Sequence, residues 1–294
     1  MNLKARMTIG AEAMHVVCCL KQVPDTAEIG IDPETNTLIR EGVEAIANPY
    51  DLVAVELALQ VRDAHGGWVT TVCMGPPQAA AMLRETLAMG ADQAILLSDR
   101  AFAGADTLAT SYTLAQAIRR MDQEDEVSLV LCGKQAIDGD TAQTGPGVAT
   151  RLDLTQFTYV TRLDWIDPQS GSIQLQRKLE NGREILKGSL PALLTVELEA
   201  AKPRRASLPS VMRSQRAEIP VWDAQAIDAE KGSLGIKGSP TWVRHIGAPP
   251  SKEAGPRFDA AEGISEAVRQ SLDILFAEAT EEPEAPEPAE TEAQ

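Results

Sequence analysis

The chain has 294 residues, of which 44% are hydrophobic and 4% aromatic, and it carries a formal net charge of −16. This length holds one large or two small globular domains, and the preference for Ala, Val and Leu over aromatic residues favours helices packed on a sheet. The negative charge argues against a nucleic-acid partner, because phosphate backbones are bound through clustered Lys and Arg.

Membrane insertion and metal binding find no support in the sequence. No run approaches the roughly 20 apolar residues that span a bilayer. Residues 1–13 lack the apolar core of a signal peptide, so we expect a disordered leader there. The cysteines form no CxxC pair and have no His at ligand spacing, which favours buried thiols in a reducing, cytoplasmic compartment. These four cysteines are Cys18, Cys19, Cys73 and Cys132.

Apolar strands alternate with amphipathic helices along the first half of the chain. The patterns predict strands at 15–20, 68–73, 93–97 and 127–132. They predict helices from Pro49 to the Gly66-Gly67 pair, up to Gly90, and at 107–121. Strands joined by helices of this length imply right-handed crossovers. We therefore predict an α/β fold with a Rossmann-like parallel sheet flanked by helices.

After Leu154 the hydrophobic pattern changes. Apolar and polar residues alternate in part in the runs at 157–165, 173–179, 184–189 and 192–198. Asn181-Gly182 between two of these runs is a strong hairpin signal. We interpret this part as an antiparallel extension of the same sheet, so that the main domain covers 14–200.

The last third of the chain lacks this regularity. Residues 201–250 are rich in Pro, Gly and Arg with little periodicity, which predicts an extended arm that depends on a partner for burial. Residues 251–294 are predicted to be an acidic, low-complexity tail. Its final part is expected to be disordered, because seven Glu and no Lys or Arg follow position 277.

One loop has the composition of a ligand site. The strand at 127–132 runs into a segment that contains Gly133, Gly139, Gly145 and Lys134. Glycines allow close approach of a ligand, and the amides at a helix start receive phosphate oxygens. Asp140 and Gln143 have the spacing of a capping box, which places the helix start at Thr141. The spacing matches neither standard phosphate-loop motif, so a plain strand-to-helix turn is an open alternative.

Six blocks of the sequence resemble the beta subunit of electron transfer flavoproteins. They are HVVCCLKQVPDTAEI, IANPYDLVAVELAL, LAMGAD, LCGKQAIDGDTAQTGPGVATRLDL, LENGREILKGSLPALLTVELEAAKPRRASLP and GSPTWVR, and they extend over about 14–250. The resemblance implies a fold like that of the adenine nucleotide alpha hydrolases. It also implies a heterodimer in which the arm at 201–250 wraps around the alpha subunit.

The resemblance further implies an adenine nucleotide site. In it, Asn48 and main-chain groups read the adenine, Asp138 takes the ribose hydroxyls, and loop amides with Thr141 bind phosphate. The positions that match the family's site are Cys19, Asn48, Pro49, Tyr50, Asp51, Met74, Gly133, Lys134, Gln135, Ala136, Ile137, Asp138, Gly139, Asp140, Thr141, Ala142, Gln143 and Thr144.

The family has two branches, which differ in the nucleotide of this subunit. The housekeeping branch holds AMP here and FAD in the alpha subunit, and it links acyl-CoA dehydrogenases to a quinone reductase. The Fix-type branch holds a second FAD and splits NADH electrons between quinone-side and ferredoxin- or flavodoxin-side acceptors. The wording of the blocks resembles the Fix-type branch, which implies FAD. Leu208, in SLPSVM, resembles the leucine with which the housekeeping branch docks its dehydrogenases, and a loop residue that packs on its own subunit is the open alternative.

No catalytic acid, base or nucleophile is predicted, because a flavin carries its own redox chemistry. We expect structural or surface roles for His15, His65 and His245. Two alternatives stay open for the function. One is the housekeeping subunit with structural AMP, and the other is a non-redox nucleotide-binding regulatory protein of similar fold.

Overall fold

The computed structural model describes residues 13–25, 45–242, 256–258 and 263–278. The chain divides into two compact units, Met1–Gly247 and Ala248–Gln294. Most of the predicted leader, His245 and the end of the acidic tail lie outside the described residues.

The described part of the first unit contains eleven strands and five α-helices. The strands are β1 (Met14–Leu20), β2 (Gln22–Pro24), β3 (Ala45–Ala47), β4 (Gly67–Met74), β5 (Gln93–Leu97), β6 (Val127–Gly133), β7 (Thr155–Asp167), β8 (Ser172–Leu179), β9 (Gly182–Ser189), β10 (Ala192–Val196) and β11 (Val221–Trp222). The helices are α1 (Pro49–His65), α2 (Ala80–Met89), α3 (Thr107–Glu124), α4 (Thr144–Leu152) and α5 (Leu208–Arg216).

Nine of these strands form one sheet in the order β11-β5-β4-β1-β6-β10-β7-β8-β9. All neighbours from β11 to β7 are parallel, whereas β8 pairs antiparallel with both β7 and β9. The predicted Rossmann-like α/β fold is confirmed. From β1 the chain first builds β4 and β5 on one side and then β6 on the other, so the strand order reverses between β1 and β6.

Two hydrophobic clusters cover the two faces of the sheet. Val16 and Cys18 of β1 face the cluster that contains α1 and α2, while Val17 and Cys19 face the cluster that contains α3 and α4. This alternation follows from the two-residue period of a strand. Strands β1, β6 and β10 are buried throughout, as their continuous apolar runs indicate. All four cysteines are free and buried, as predicted.

The antiparallel extension is smaller than predicted. Strands β7, β8 and β9 are antiparallel, and β8 and β9 form the hairpin expected at Asn181-Gly182. The prediction is wrong for β10, which lies parallel between β6 and β7. Its sequence, ALLTV, is apolar except for Thr195 and does not alternate, which is typical of a strand buried on both faces.

The segment after 200 is more regular than its composition indicated. It forms α5 and then β11, which extends the sheet beside β5. Arg204 binds Glu56 and Asp63 of α1. Arg84 of α2 donates to the carbonyl oxygens of Ser214 and Ala217. These contacts of Arg204 and Arg84 hold the described part of the segment on its own domain.

In the second unit, Ile264–Glu278 forms helix α6, although the whole of 251–294 was assigned to a low-complexity tail. The reason lies in the sequence, where Ile264, Val268, Leu272 and Leu275 recur at helical spacing. No described helix is both long enough and apolar enough to cross a membrane.

Candidate functional site

The candidate site lies at the carboxyl ends of β1 and β6, where the strand order reverses. Ligands of open parallel sheets bind at such a reversal, because the loops on either side leave a crevice between them. Lys21 follows β1 directly, and Lys134 follows β6. The small antiparallel pair of β2 and β3 then leads the chain to Asn48 at the start of α1.

Asp51 joins the two sides of the crevice. Its carboxylate accepts hydrogen bonds from the backbone N–H of Lys21 at 2.8 Å and of Gly133 at 2.9 Å. Burial raises the pKa of Asp51 to about 7, although both N–H donors favour the ionised form. A Cβ at Gly133 would lie 2.5 Å from the Asp51 oxygen, so only glycine fits this contact.

Asn48 shapes the loop that follows β6. Its side chain is 1% exposed, donates to the carbonyl oxygen of Gln135 at 2.9 Å and accepts from the N–H of Ile137 at 3.3 Å. The amide group thus satisfies one acceptor and one donor of the loop backbone. The structure places Asn48 and Asp51 behind the loop, where they hold its conformation.

The exposed part of the loop presents backbone N–H groups. Asp140 and Ala142 have φ angles of 49° and 53°, while Gln143 is in the right-handed helical region. A left-handed residue next to a right-handed one, as in Ala142 and Gln143, is the backbone conformation of anion-binding nests. No acceptor among the described residues binds the N–H groups of Thr141, Ala142 or Gln143. Within the described part of the chain, these three donors are open to a ligand.

The predicted helix start at Thr141 is wrong, because α4 begins at Thr144. The left-handed conformations of Asp140 and Ala142 interrupt the helix before that point. The two side chains of the proposed capping box are also engaged elsewhere. Asp140 accepts from the side-chain amide of Gln135 at 2.5 Å, and Gln143 accepts from the hydroxyl of Thr107 at 3.0 Å.

Lys134 has a defined set of neighbours beside the crevice. Its ammonium lies 3.3 Å from Glu197, 5.2 Å from the centroid of the Tyr50 ring and 5.6 Å from that of Tyr159. Burial disfavours the ammonium form, but the hydrogen bond and charge of Glu197 raise the pKa of Lys134 above its usual value. Tyr159 has a φ angle of 58°, which is unusual for a bulky residue. In this structure the positive charge of Lys134 is directed at Glu197.

The structure brings most of the predicted site residues to this edge of the sheet. Three of the predicted residues are buried in the core or lie away from the loop. The side chain of Cys19 is buried in the core, and burial raises its thiol pKa to about 12. Met74 ends β4, on the far side of β1 from the loop. Leu208 lies away from the crevice, as the first residue of α5, with 74% of its surface exposed.

Sequence reasoning missed several residues that complete the site. Lys21 forms an ion pair with Asp138 at 2.7 Å, which links the loop after β1 to the loop after β6. Thr107, Tyr159 and Glu197 hold Gln143 and Lys134. Lys21 directly follows a buried strand, and this position in the sequence could have identified it as a site residue. The other three reach the site only through tertiary packing.

Comparison with known proteins agrees with this architecture. A family model described as Electron transfer flavoprotein domain matches residues 35–227. Protein FixA of Sinorhizobium fredii is 48% identical over 262 residues, covering 88% of this chain and 92% of that protein. Protein FixA of Azotobacter vinelandii is 51% identical over 238 residues, covering 80% and 84%. Electron transfer flavoprotein subunit beta of Clostridium acetobutylicum is 46% identical over 246 residues, covering 84% and 92%. The chain therefore belongs to the electron transfer flavoprotein family. Within that family, the relatives named here are FixA proteins and a beta subunit.

Proposed function

We propose that this chain is the nucleotide-bearing beta subunit of a two-subunit electron transfer flavoprotein, with the nucleotide in the crevice between β1 and β6. One observation carries the proposal: at the reversal of strand order, the loop after β6 is held by Asn48 and Asp51 and carries three consecutive backbone N–H groups that no described residue accepts from. A phosphate group fits such donors, because its oxygens are acceptors only and its negative charge is favoured there.

The chain's own residues divide into a holding group and a contacting group. Asn48, Asp51 and Lys21 hold the loop in place through the hydrogen bonds and the ion pair described above. The amides of Thr141 to Gln143, with the exposed Thr141 hydroxyl, are positioned to contact phosphate. Both oxygens of Asp138 lie within 2.8 Å of the Lys21 ammonium. If Asp138 contacts the ribose hydroxyls, its oxygens accept from the ammonium and from the hydroxyls at the same time.

We propose FAD as the nucleotide, in line with the Fix-type wording of the sequence and with FixA proteins among the relatives. When bound, the flavin supplies the oxidation and reduction chemistry, and the protein supplies position and electrostatics. The function is then electron bifurcation from NADH to quinone-side and ferredoxin- or flavodoxin-side acceptors in the cytoplasm. The housekeeping subunit with AMP is the second candidate, favoured by the similarity of SLPSVM to that branch's docking segment.

Two surfaces of the chain are proposed to meet proteins. The alpha subunit is the partner in the heterodimer, with the arm at 201–250 as part of the contact. A flavoprotein dehydrogenase or a quinone oxidoreductase is proposed to dock at Leu208. In support, Leu208, Val211 and Met212 expose apolar surface on a helix that Arg84 fixes to α2. Exposed apolar groups on a fixed helix are typical of interaction sites.

Cofactor counting tests the proposal. The chain is co-expressed with its alpha subunit, the complex is denatured, and the released FAD and AMP are quantified per heterodimer. Two FAD and no AMP is the result we expect. One FAD and one AMP would establish the housekeeping alternative, and a chain that purifies without flavin, with or without the alpha subunit, would establish a non-redox role.

A further inference from the structure

A cavity of about 360 Å³ lies between α3, α4 and the segment at 232–240. It shares no residue with the loop at 133–144. Its volume is within the range of small-molecule sites. The lining residues are Leu108, Tyr112, Arg151, Gly232, Ser233, Lys237, Gly238, Ser239 and Pro240.

The charge of this cavity is opposite to that of the chain. Arg151 and Lys237 contribute two positive charges and none of the lining residues is acidic, whereas the chain as a whole carries −16. Asp106 lies two residues before Leu108 but is not part of the lining, and its oxygens accept from the N–H groups of Leu108 and Ala109 and from Thr241. The cavity is therefore suited to an anion.

Arg151 is held in a fixed orientation with donors to spare. Its Nε donates to the hydroxyl of Ser111 at 3.2 Å, and its Nη2 donates to the carbonyl oxygen of Leu108 at 3.1 Å. The guanidinium also lies over the Tyr112 ring, 5.8 Å from its centroid. A guanidinium has five N–H groups, so three of them have no acceptor among the described residues. A planar donor group that is already ordered binds an oxyanion with little further loss of entropy.

Lys237 and Ser233 supply the opposite wall. No carboxylate within the described ranges forms an ion pair with the ammonium of Lys237. The wall itself is fixed, because the N–H of Ile236 donates to the carbonyl oxygen of Ala103 at 3.2 Å and Ser239 accepts from the N–H of Asp106 at 2.8 Å. The two cations are thus mounted on separate, anchored elements.

We propose that this cavity is an anion site that binds a phosphorylated small molecule, separate from the nucleotide site. A phosphate group has enough acceptor oxygens to use the free donors of Arg151, the ammonium of Lys237 and the hydroxyl of Ser233 together. The rings of Tyr112 and Pro240 and the Leu108 side chain offer apolar surface to the organic part. The proposal does not depend on which nucleotide occupies the crevice.

The test is calorimetric titration of the full chain, purified with its alpha subunit, with inorganic phosphate, ribose 5-phosphate and malonate. We expect saturable binding of the two phosphates with a Kd on the order of 1 mM or below. Lys237→Gln should weaken phosphate binding at least about fivefold, because a charge-assisted contact is lost. Lys231→Gln, in the same exposed segment but outside the lining, should change it less than about twofold.

Three results of this titration would overturn the proposal. The absence of saturable phosphate binding eliminates the site, and equal losses in the Lys237 and Lys231 variants reduce it to general attraction. Malonate binding as tightly as phosphate shows that the ligand class is wrong. Arg151→Lys keeps the charge but not the planar fork, and it should also weaken binding. Bound FAD or AMP is quantified in every variant and should stay unchanged, since this cavity is not the nucleotide site.

Discussion

Asp51, in the first turn of α1, accepts a hydrogen bond from the backbone N–H of Gly133, at the end of β6, over 2.9 Å. Its second oxygen accepts from Lys21 at the end of β1. One side chain therefore sets the spacing of the two strand ends that border the crevice. This carboxylate is 5% exposed, so its protonation bears directly on the stability of the fold at the site.

Asp51→Asn tests this role and its pH dependence. An asparagine keeps one acceptor but turns an N–H group toward the second donor, so at pH 5 we expect a loss of about 1–3 kcal/mol in the free energy of unfolding. Burial raises the pKa of Asp51 in the folded state from 3.8 to about 7. Between these values the folded state holds a proton that the unfolded state has released, so the stability contributed by Asp51 falls as pH rises from about 4 to 7.

Urea unfolding of wild type and Asp51→Asn at several pH values measures this effect. The stability difference between them should shrink by up to about 1.4 kcal/mol per pH unit up to pH 7 and then level off. Asp164→Asn is the control, because hydrogen bonds to Gln174 and Arg162 lower the pKa of this carboxyl and keep it ionised across the range. A difference that stays constant from pH 5 to 7 would contradict the assignment.

Ala142→Gly tests strain in the loop. Ala142 has a φ angle of 53°, which costs an alanine about 1 kcal/mol and a glycine almost nothing. We expect the variant to be more stable by up to about 1 kcal/mol in thermal or urea unfolding. Ala136→Gly, in the same loop but without a positive φ, should be destabilising because it only adds freedom to the unfolded chain. Equal shifts in both variants would show that the loop stores no strain at Ala142.

The parallel core of the fold was predictable because its signals are local. Continuous apolar runs between helices predicted β1, β4, β5 and β6 within one or two residues, and Gly66 and Gly90 marked the ends of α1 and α2. The place of β10 between β6 and β7 was not predicted, since strand order depends on long-range pairing. The short helix α5 and strand β11 within 201–242 were not predicted, because contacts to distant helices, such as that of Arg204 with Glu56, hold this segment on its own domain.

The position of the candidate site could be predicted from the sequence, but the contacts and backbone conformations that build it could not. The glycines and Lys134 marked the loop, and its position after a doubly buried strand indicated the sheet edge. The left-handed Asp140 and Ala142 were not foreseen, because neither residue is glycine and the Asp-x-x-Gln spacing favoured a capping box. The sequence did not predict Glu197 as the partner of Lys134, because only the packing of β10 beside β6 brings the two residues together.

A double-mutant cycle on Lys134 and Glu197 tests the ion pair beside the crevice. Lys134→Met leaves a largely buried carboxylate without its partner, and we expect a loss of about 3 kcal/mol. The double variant Lys134→Met with Glu197→Gln should recover a substantial part of that loss, because no charge is then left unpaired. Urea unfolding of the four proteins gives the coupling energy. A double variant as unstable as the sum of the single variants would show that the pair does not interact.

Arg204→Gln tests how the segment after 200 is attached. Arg204 binds Glu56 through its Nε, Nη2 and backbone N–H groups, and Asp63 through Nη1. We expect its loss to destabilise the protein by about 1–3 kcal/mol and to speed limited proteolysis near 200–207. Arg205→Gln is a matched control at an exposed neighbour and should leave both unchanged. Equal cleavage rates in the two variants would show that the segment is held by other contacts.

A pair of glycine variants separates stability from ligand binding at the crevice. Gly133→Ala places a Cβ 2.5 Å from both the Asp51 oxygen and the Tyr50 Cβ, so we expect it to destabilise the protein by several kcal/mol. A methyl group added at Gly139 would meet no described atom within 4 Å, and Gly139 has no positive φ, so Gly139→Ala should leave the unfolding midpoint nearly unchanged. If the nucleotide lies against this loop, as proposed, the methyl group occupies space that the ligand needs. Gly139→Ala should then retain less nucleotide per heterodimer after dialysis, and a variant with full stability and full nucleotide content would place the ligand elsewhere.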